Sequence, residues 1–181
     1  MIKYTEDYAE ELLLRVAEQM AAAAATAPKA SGQDKVRTAI VTGEEKDRIV
    51  KRMRELGEEF DSDFIRRDAG CLERCPVAVL LGVESTPFGL SNCSYCGFPN
   101  CAAMAKAGGR CAINITDLGI AVGSAVSIAA DHRIDNRVMY SIGKAVTTMD
   151  IFPPAVKMAY GIPLSISSKS IFFDRGPGDI L

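Results

Sequence analysis

Four of the chain's six cysteines crowd into the stretch NCSYCGFPNCAAMAKAGGRC at positions 92–111. They are Cys93, Cys96, Cys101 and Cys111, spaced C-x2-C-x4-C-x9-C. Thiols this close in sequence reach one centre at little loop-closure cost. A 4Fe-4S cluster takes four thiolates, one at each iron corner. Gly97 and Pro99 suit a tight turn between Cys96 and Cys101, where backbone N–H groups can face cluster sulfurs. Gly108 and Gly109 free the chain to bend back and deliver Cys111. The pattern predicts an iron–sulfur site of the 4Fe-4S type.

Other chemistries use four cysteines. Zinc accepts four thiolates and C-x2-C pairs, and a structural zinc site is the alternative. Zinc ribbons usually carry two separated C-x2-C knuckles, whereas Cys101 and Cys111 stand singly in a Gly/Pro-rich, apolar stretch. A disulfide framework fits less well. The segment MIKYTEDYAEE lacks the basic start and apolar run of a secretory signal, and reducing compartments do not maintain disulfides. The expected location is the cytoplasm.

Composition narrows the function further. The chain has 181 residues, 48% of them hydrophobic, which suits a single folded domain, 1–181, with the cysteine loop at 85–115 inside it. The net charge is −2 and the charges are mixed in sign, so no field for nucleic acid is expected. His132 is the one histidine, which argues against histidine-rich metal sites and a Cys–His nucleophile. Residues 112–130 form the one candidate membrane span. Asn114, Asp117 and many small residues favour a buried core helix, so no membrane is expected.

The elements that must position the cysteines read as alternating helices and strands. Leu12, Leu13, Val16 and Met20 recur at helical spacing and predict a helix over 5–27, capped by Thr5 and ended by Pro28. Residues 36–43 read as a strand, and 44–59 as a helix with Ile49, Val50, Met53 and Leu56 on one face. Residues 60–67 read as a second strand, and the apolar run 76–83 as a fully covered one. A short helix is expected over 101–107, and a long thin one from Thr116 or Asp117. A further helix is expected over 135–149, a turn at 161–163, short strands at 164–166 and 170–173, and a frayed end at 176–181. The resulting fold class is α/β (α+β), a mixed sheet covered by helices with an iron–sulfur loop inserted.

Several stretches resemble known families. Cys93-x2-Cys96-Gly97-Phe98-Pro99-x-Cys101 is similar to the cluster module of the Rnf electron-transport B subunit, and to that of the corrinoid iron–sulfur subunit of acetyl-CoA decarbonylase/synthase. In those modules the fourth cysteine lies farther on than Cys111. Residues 60–175 resemble the bacterial and archaeal ferredoxin domain-containing proteins of unassigned function. That resemblance rests on FIRRDA (64–69), CSYCGFPNC (93–101), DLGIAVGSAVSIA (117–129), DNRVMYSIGKA (135–145) and IPLSISSKSIFFDR (162–175). It implies a cluster held by Cys93, Cys96, Cys101 and Cys111, and it implies no particular reaction.

APKASGQ (27–33) and DLGIAVGSAVSIAA (117–130) are similar to the first unit and the central dimer helix of the nitroreductase-like flavoprotein fold. That resemblance implies a homodimer and FMN. The family's flavin phosphate site uses an Arg-rich turn near the N-terminus, where this chain offers only Arg15.

The remaining polar residues have plainer readings. Cys71 and Cys75, in C-x3-C-P, read first as buried small hydrophobes and second as extra ligands or a redox dithiol. Asp135 reads first as a helix cap with Arg137 on the surface, and Asp135, Asn136 and Arg137 read second as a polar cluster for a small anion or flavin. His132 reads as exposed or carbonyl-bonded. Arg66, Arg67, Asp68, Lys169, Asp174 and Arg175 read as surface pairs, with an anion role second. The expected function is a 4Fe-4S electron-transfer protein serving a redox partner protein. The alternatives are a flavin-dependent reductase fed by the cluster and a structural metal site.

Overall fold

Valine, leucine and alanine fill nearly every position from 77 to 83, as a strand covered on both faces requires. In the computed structural model, which describes residues 1–173, this strand is β2 (Val77–Glu84). It lies inside a four-stranded sheet of order β1-β2-β4-β3, with β1 at Val36–Thr42, β3 at Asp135–Asn136 and β4 at Val156–Ser165. Every pairing is antiparallel. The mixture in the fold lies in helices and strands, not in strand direction.

Alternation along β2 divides the interior into two cores. Val77, Val79, Leu81 and Val83 meet helices α1 (Ala9–Thr26) and α5 (Ala112–Asp131) on one face. Ala78 and Leu80 meet α2 (Gly43–Glu59), α3 (Asp63–Glu73) and α6 (Tyr140–Val146) on the other. Each fully buried Leu or Val contributes about 1.5–3 kcal/mol. Helix α1 buries Leu13, Val16, Ala17, Met20 and Ala24, the predicted face. Lys29 Nζ closes its C-terminal end by donating to the carbonyls of Ala24, Ala25 and Ala27 at 2.7, 3.0 and 2.7 Å.

Five predicted elements are corrected. Residues 60–67 are not a strand: Asp61 takes a left-handed φ of 45°, and α3 follows with Ile65, Ala69 and Leu72 buried at helical spacing. The long helix starts at Ala112, not Asp117, whose buried carboxylate accepts the Ala30 N–H at 3.1 Å. The helix expected over 135–149 splits, because Asp135 and Asn136 pair with Ser165 and Leu164 of β4; Asp135 is therefore not a helix cap. No turn interrupts 161–163. Strand β4 runs through Gly161 and Pro163, and a Cβ on Gly161 would collide with Ile142 of α6. Residues 170–173 are likewise not a strand: Ile171–Phe173 form a turn that buries Phe172 in the second core. The reading of 176–181, and those of Asp174 and Arg175, lie outside the described residues.

Candidate metal centre

The cysteine loop leaves the sheet at the end of β2 and returns at the start of α5. Its exit is anchored by the Glu84 N–H on Lys35 O at 3.1 Å and the Ser85 N–H on Ala155 O at 2.9 Å. The chain then folds tightly around its first two cysteines. Asn92 and Ser94 take left-handed φ values of 57° and 47°, Gly97 has φ 81°, and the Gly97 N–H closes on Ser94 O at 2.9 Å. Two non-glycine residues in this region mark backbone held by its surroundings.

Asn100 caps the short helix α4 (Cys101–Lys106) by accepting the Ala103 N–H at 2.9 Å, which sets Cys101 at the first helical position. After α4, Gly108 adopts φ 67° and the Gly109 N–H bonds Met104 O at 2.9 Å. Gly109 sits so close to the Phe98 ring that a Cβ there would approach it to 2.9 Å. The bend expected of these glycines therefore forms, and it delivers Cys111 as the N-cap of α5.

These turns bring all four thiols to the wall of one cavity of about 320 Å³. Cys93, Cys96 and Cys101 are half-buried, and Cys111 is buried. Phe88, Leu90, Phe98, Pro99, Met104 and Ile113 supply apolar wall, and among the described residues no ionisable side chain other than the thiols lines the cavity. Between Glu84 and Asp117 the only charged residues are Lys106 and Arg110. Helix α5 meets the cavity at its N-terminal end, through Ala112 and Ile113, with no side-chain cap and no acidic residue in its first turn. That end carries the positive pole of a 20-residue helix.

All six cysteines among the described residues are free. No three Cys, His, Asp or Glu side chains among those residues gather closely enough to hold a single ion. The four thiols thus border a volume rather than meeting at a point. Each thiolate of a four-iron cluster binds its own iron, so a set of four free thiols around an apolar space fits that group.

The other sequence candidates lie elsewhere. Cys71 and Cys75 are buried in the second core and do not line the cavity. Burial, and then the neighbouring Cys71, push the Cys75 thiol up to about 12. A thiol so held is a poor ligand and a poor nucleophile. Exposed His132 pairs its Nε2 with Gln19 Oε1 at 2.8 Å. Arg137 donates to Phe172 O at 3.4 Å and stacks over Phe173 at 5.0 Å. Arg66 is engaged by Asp61 and Asp63, and Arg67 by Asp68. Arg15 pairs with Glu11 at 2.7 Å on an exposed face of α1.

Asn114 escaped the sequence reading as a site residue. Its only signal was a lone amide in an apolar helix start, three residues after Cys111.

Residues 107–175 match the family described as uncharacterized protein containing a ferredoxin domain. An uncharacterized protein from Archaeoglobus fulgidus is 38% identical over 185 residues, covering 98% of this chain and 99% of its own. Among solved structures, a nitroreductase with bound FMN from Desulfitobacterium hafniense superimposes with a TM-score of 0.59 at 17% identity, over 88% of this chain and 78% of its own. A putative NADH dehydrogenase/NAD(P)H nitroreductase from Bacteroides thetaiotaomicron gives 0.58 at 12% identity, over 86% and 74%. These likenesses show the nitroreductase-like fold expected from APKASGQ and the α5 sequence.

Proposed function

Because the chain belongs to the family of uncharacterized proteins containing a ferredoxin domain, we propose that it holds a 4Fe-4S cluster on Cys93, Cys96, Cys101 and Cys111 and moves single electrons to a partner protein. The observation that carries this reading is the lining of one apolar cavity by all four thiols, from the 93–101 loop and from the α5 N-cap. Such a cluster supplies one-electron transfer at a potential set by its surroundings.

The chain's own residues set those surroundings. Phe98, Pro99, Leu90 and Ile113 exclude water from the sulfurs. The uncapped end of α5, with Lys106 and Arg110 nearby, favours the negative charge of four thiolates. No general base or nucleophile is required. Six free cysteines suit a reducing compartment, and the cytoplasm is the location we assign.

Anaerobic reconstitution tests the reading. The expected product is brown, with about four irons and four acid-labile sulfides per chain. A colourless protein that takes one zinc and no sulfide overturns it.

A second reading is favoured by the likeness to an FMN-bound nitroreductase. Here the cluster feeds a flavin in a homodimer, and a small oxidised substrate is reduced. The outer face of α5 supports a second copy of the chain. Gly119, Ile120, Gly123, Ser127 and Ala130 are exposed there, and no charged residue falls between Asp117 and Asp131. Arg15, held by Glu11, offers little for a flavin phosphate. FMN that stays with the protein through gel filtration, on a dimer that Ile120→Arg splits, supports this reading. Free flavin and a monomer remove it.

A further inference from the structure

Asn114 ties both ends of the cysteine loop together. The residue is 2% exposed. Its Nδ2 donates to Glu84 O at 3.2 Å and to Thr86 O at 2.7 Å, where β2 gives way to the loop. It stands in the first turn of α5, three residues after Cys111. A single amide therefore spans from the exit of the loop to the helix turn that carries the fourth thiol. Both donor hydrogens are used and Oδ1 has no partner. Asn114 also borders a void of about 10 Å³, walled as well by Ser85, Arg110, Cys111 and Met158. The space is close to the minimum for one water, about 10–15 Å³.

We propose that Asn114 is a positioning residue for the cysteine centre: it locks the start of the loop to the turn bearing Cys111, and its free oxygen holds one water in the void between them. The role deepens the cluster reading, yet its first test does not need a cluster. Side chains near Asn in size fail for different reasons. Leucine leaves the part-buried Glu84 and Thr86 carbonyls without their amide donor. Aspartate sets a carboxylate against the same two carbonyls. A carboxyl so placed is held neutral, its pKa raised above the ordinary value, and it donates only while it keeps its proton.

The experiment follows alkylation of each cysteine by iodoacetamide on the metal-free full chain, read by peptide mass spectrometry. Wild type is compared with Asn114→Leu, Asn114→Asp and Ser124→Ala. Ser124 also ties α5 to another element, donating to Ala23 O at 2.9 Å, but it does not border the cavity. In Asn114→Leu, which loses both hydrogen bonds, Cys111 is expected to react at least about tenfold faster than in wild type, roughly the factor that one such bond accounts for. Ser124→Ala should react like wild type. In Asn114→Asp the excess over wild type at the same pH should grow from pH 6 to 8.5, as the carboxyl loses its proton. Circular dichroism checks that each variant is folded, and the aspartate variant at low pH serves if the leucine variant is not.

An unchanged Cys111 rate in Asn114→Leu overturns the proposal. So does an equal gain in Ser124→Ala, or an aspartate excess that is flat with pH. On reconstituted protein, iron release to a chelator should quicken by a similar factor in Asn114→Leu alone. A wild type that takes up no iron defeats the cluster reading, while the alkylation result still decides the role of Asn114.

Discussion

The Ser141 hydroxyl donates to Asp68 Oδ2 at 2.6 Å, and both side chains are buried between α6 and α3. The second carboxylate oxygen accepts from Arg67 Nε and Nη2 at 3.1 and 2.9 Å. A buried carboxylate is tolerable only while it is paired and hydrogen-bonded. Ser141→Ala should lower unfolding stability by about 1–3 kcal/mol in urea titration. It should leave iron uptake unchanged, because neither residue borders the cysteine cavity.

Helix α6 lies flat on β4, and a Cβ on Gly143 would overlap the Ala159 carbonyl. That oxygen is backbone and cannot swing away. Gly143→Ala should cost about 3 kcal/mol or prevent folding, whereas a glycine with open space around it should behave oppositely. Gly123 has nothing within 4 Å of where a Cβ would sit, so Gly123→Ala should gain up to about 1 kcal/mol of helix propensity. Thermal unfolding of the two variants, measured on the monomer at low concentration, separates these cases.

The six cysteines should divide into two classes. Serine at position 93, 96, 101 or 111 should each lower reconstituted iron and sulfide well below wild type, since each removes one thiolate from the cavity wall. Cys71→Ala and Cys75→Ala should keep full loading and lose only packing, on the order of 1 kcal/mol. Iron analysis and visible absorption read the first class, and denaturation reads the second.

Cys75 also predicts a pH dependence. Burial raises its thiol from an ordinary 9.0 to about 12 in the folded chain. The unfolded chain therefore ionises first. The stabilisation is fully present below about pH 9 and is lost as pH rises toward 12. Wild type should lose stability across that alkaline window more steeply than Cys75→Ala, by an amount on the order of a few kcal/mol. Parallel alkaline profiles for the two proteins would remove Cys75 as the cause.

Much of this chain was legible in its residues because the signals are local. Four cysteines within a short Gly/Pro-rich stretch stand out before any fold is known. The run at 77–83 declares a strand covered on both faces, and the spacing of Leu13, Val16 and Met20 declares α1. The period of α3 was present as well, in Ile65, Ala69 and Leu72, but it only emerges beyond residue 67.

Tertiary structure decided what depends on distant partners. Gly161 and Pro163 look like a turn in isolation. They continue β4 because β2 pairs along them and α6 needs a bare backbone to press against. Asp135 resembles a cap until Ser165 claims it for the sheet. Asn114 looked like an incidental polar residue. Only folding brings the carbonyls of Glu84 and Thr86 to its amide, some thirty residues back along the chain. Neighbouring residues carry their own periodicity, but a contact across such a gap leaves no trace in either segment alone. The identity of the four thiols therefore came from sequence, and their shared cavity from the packing of the loop against α5.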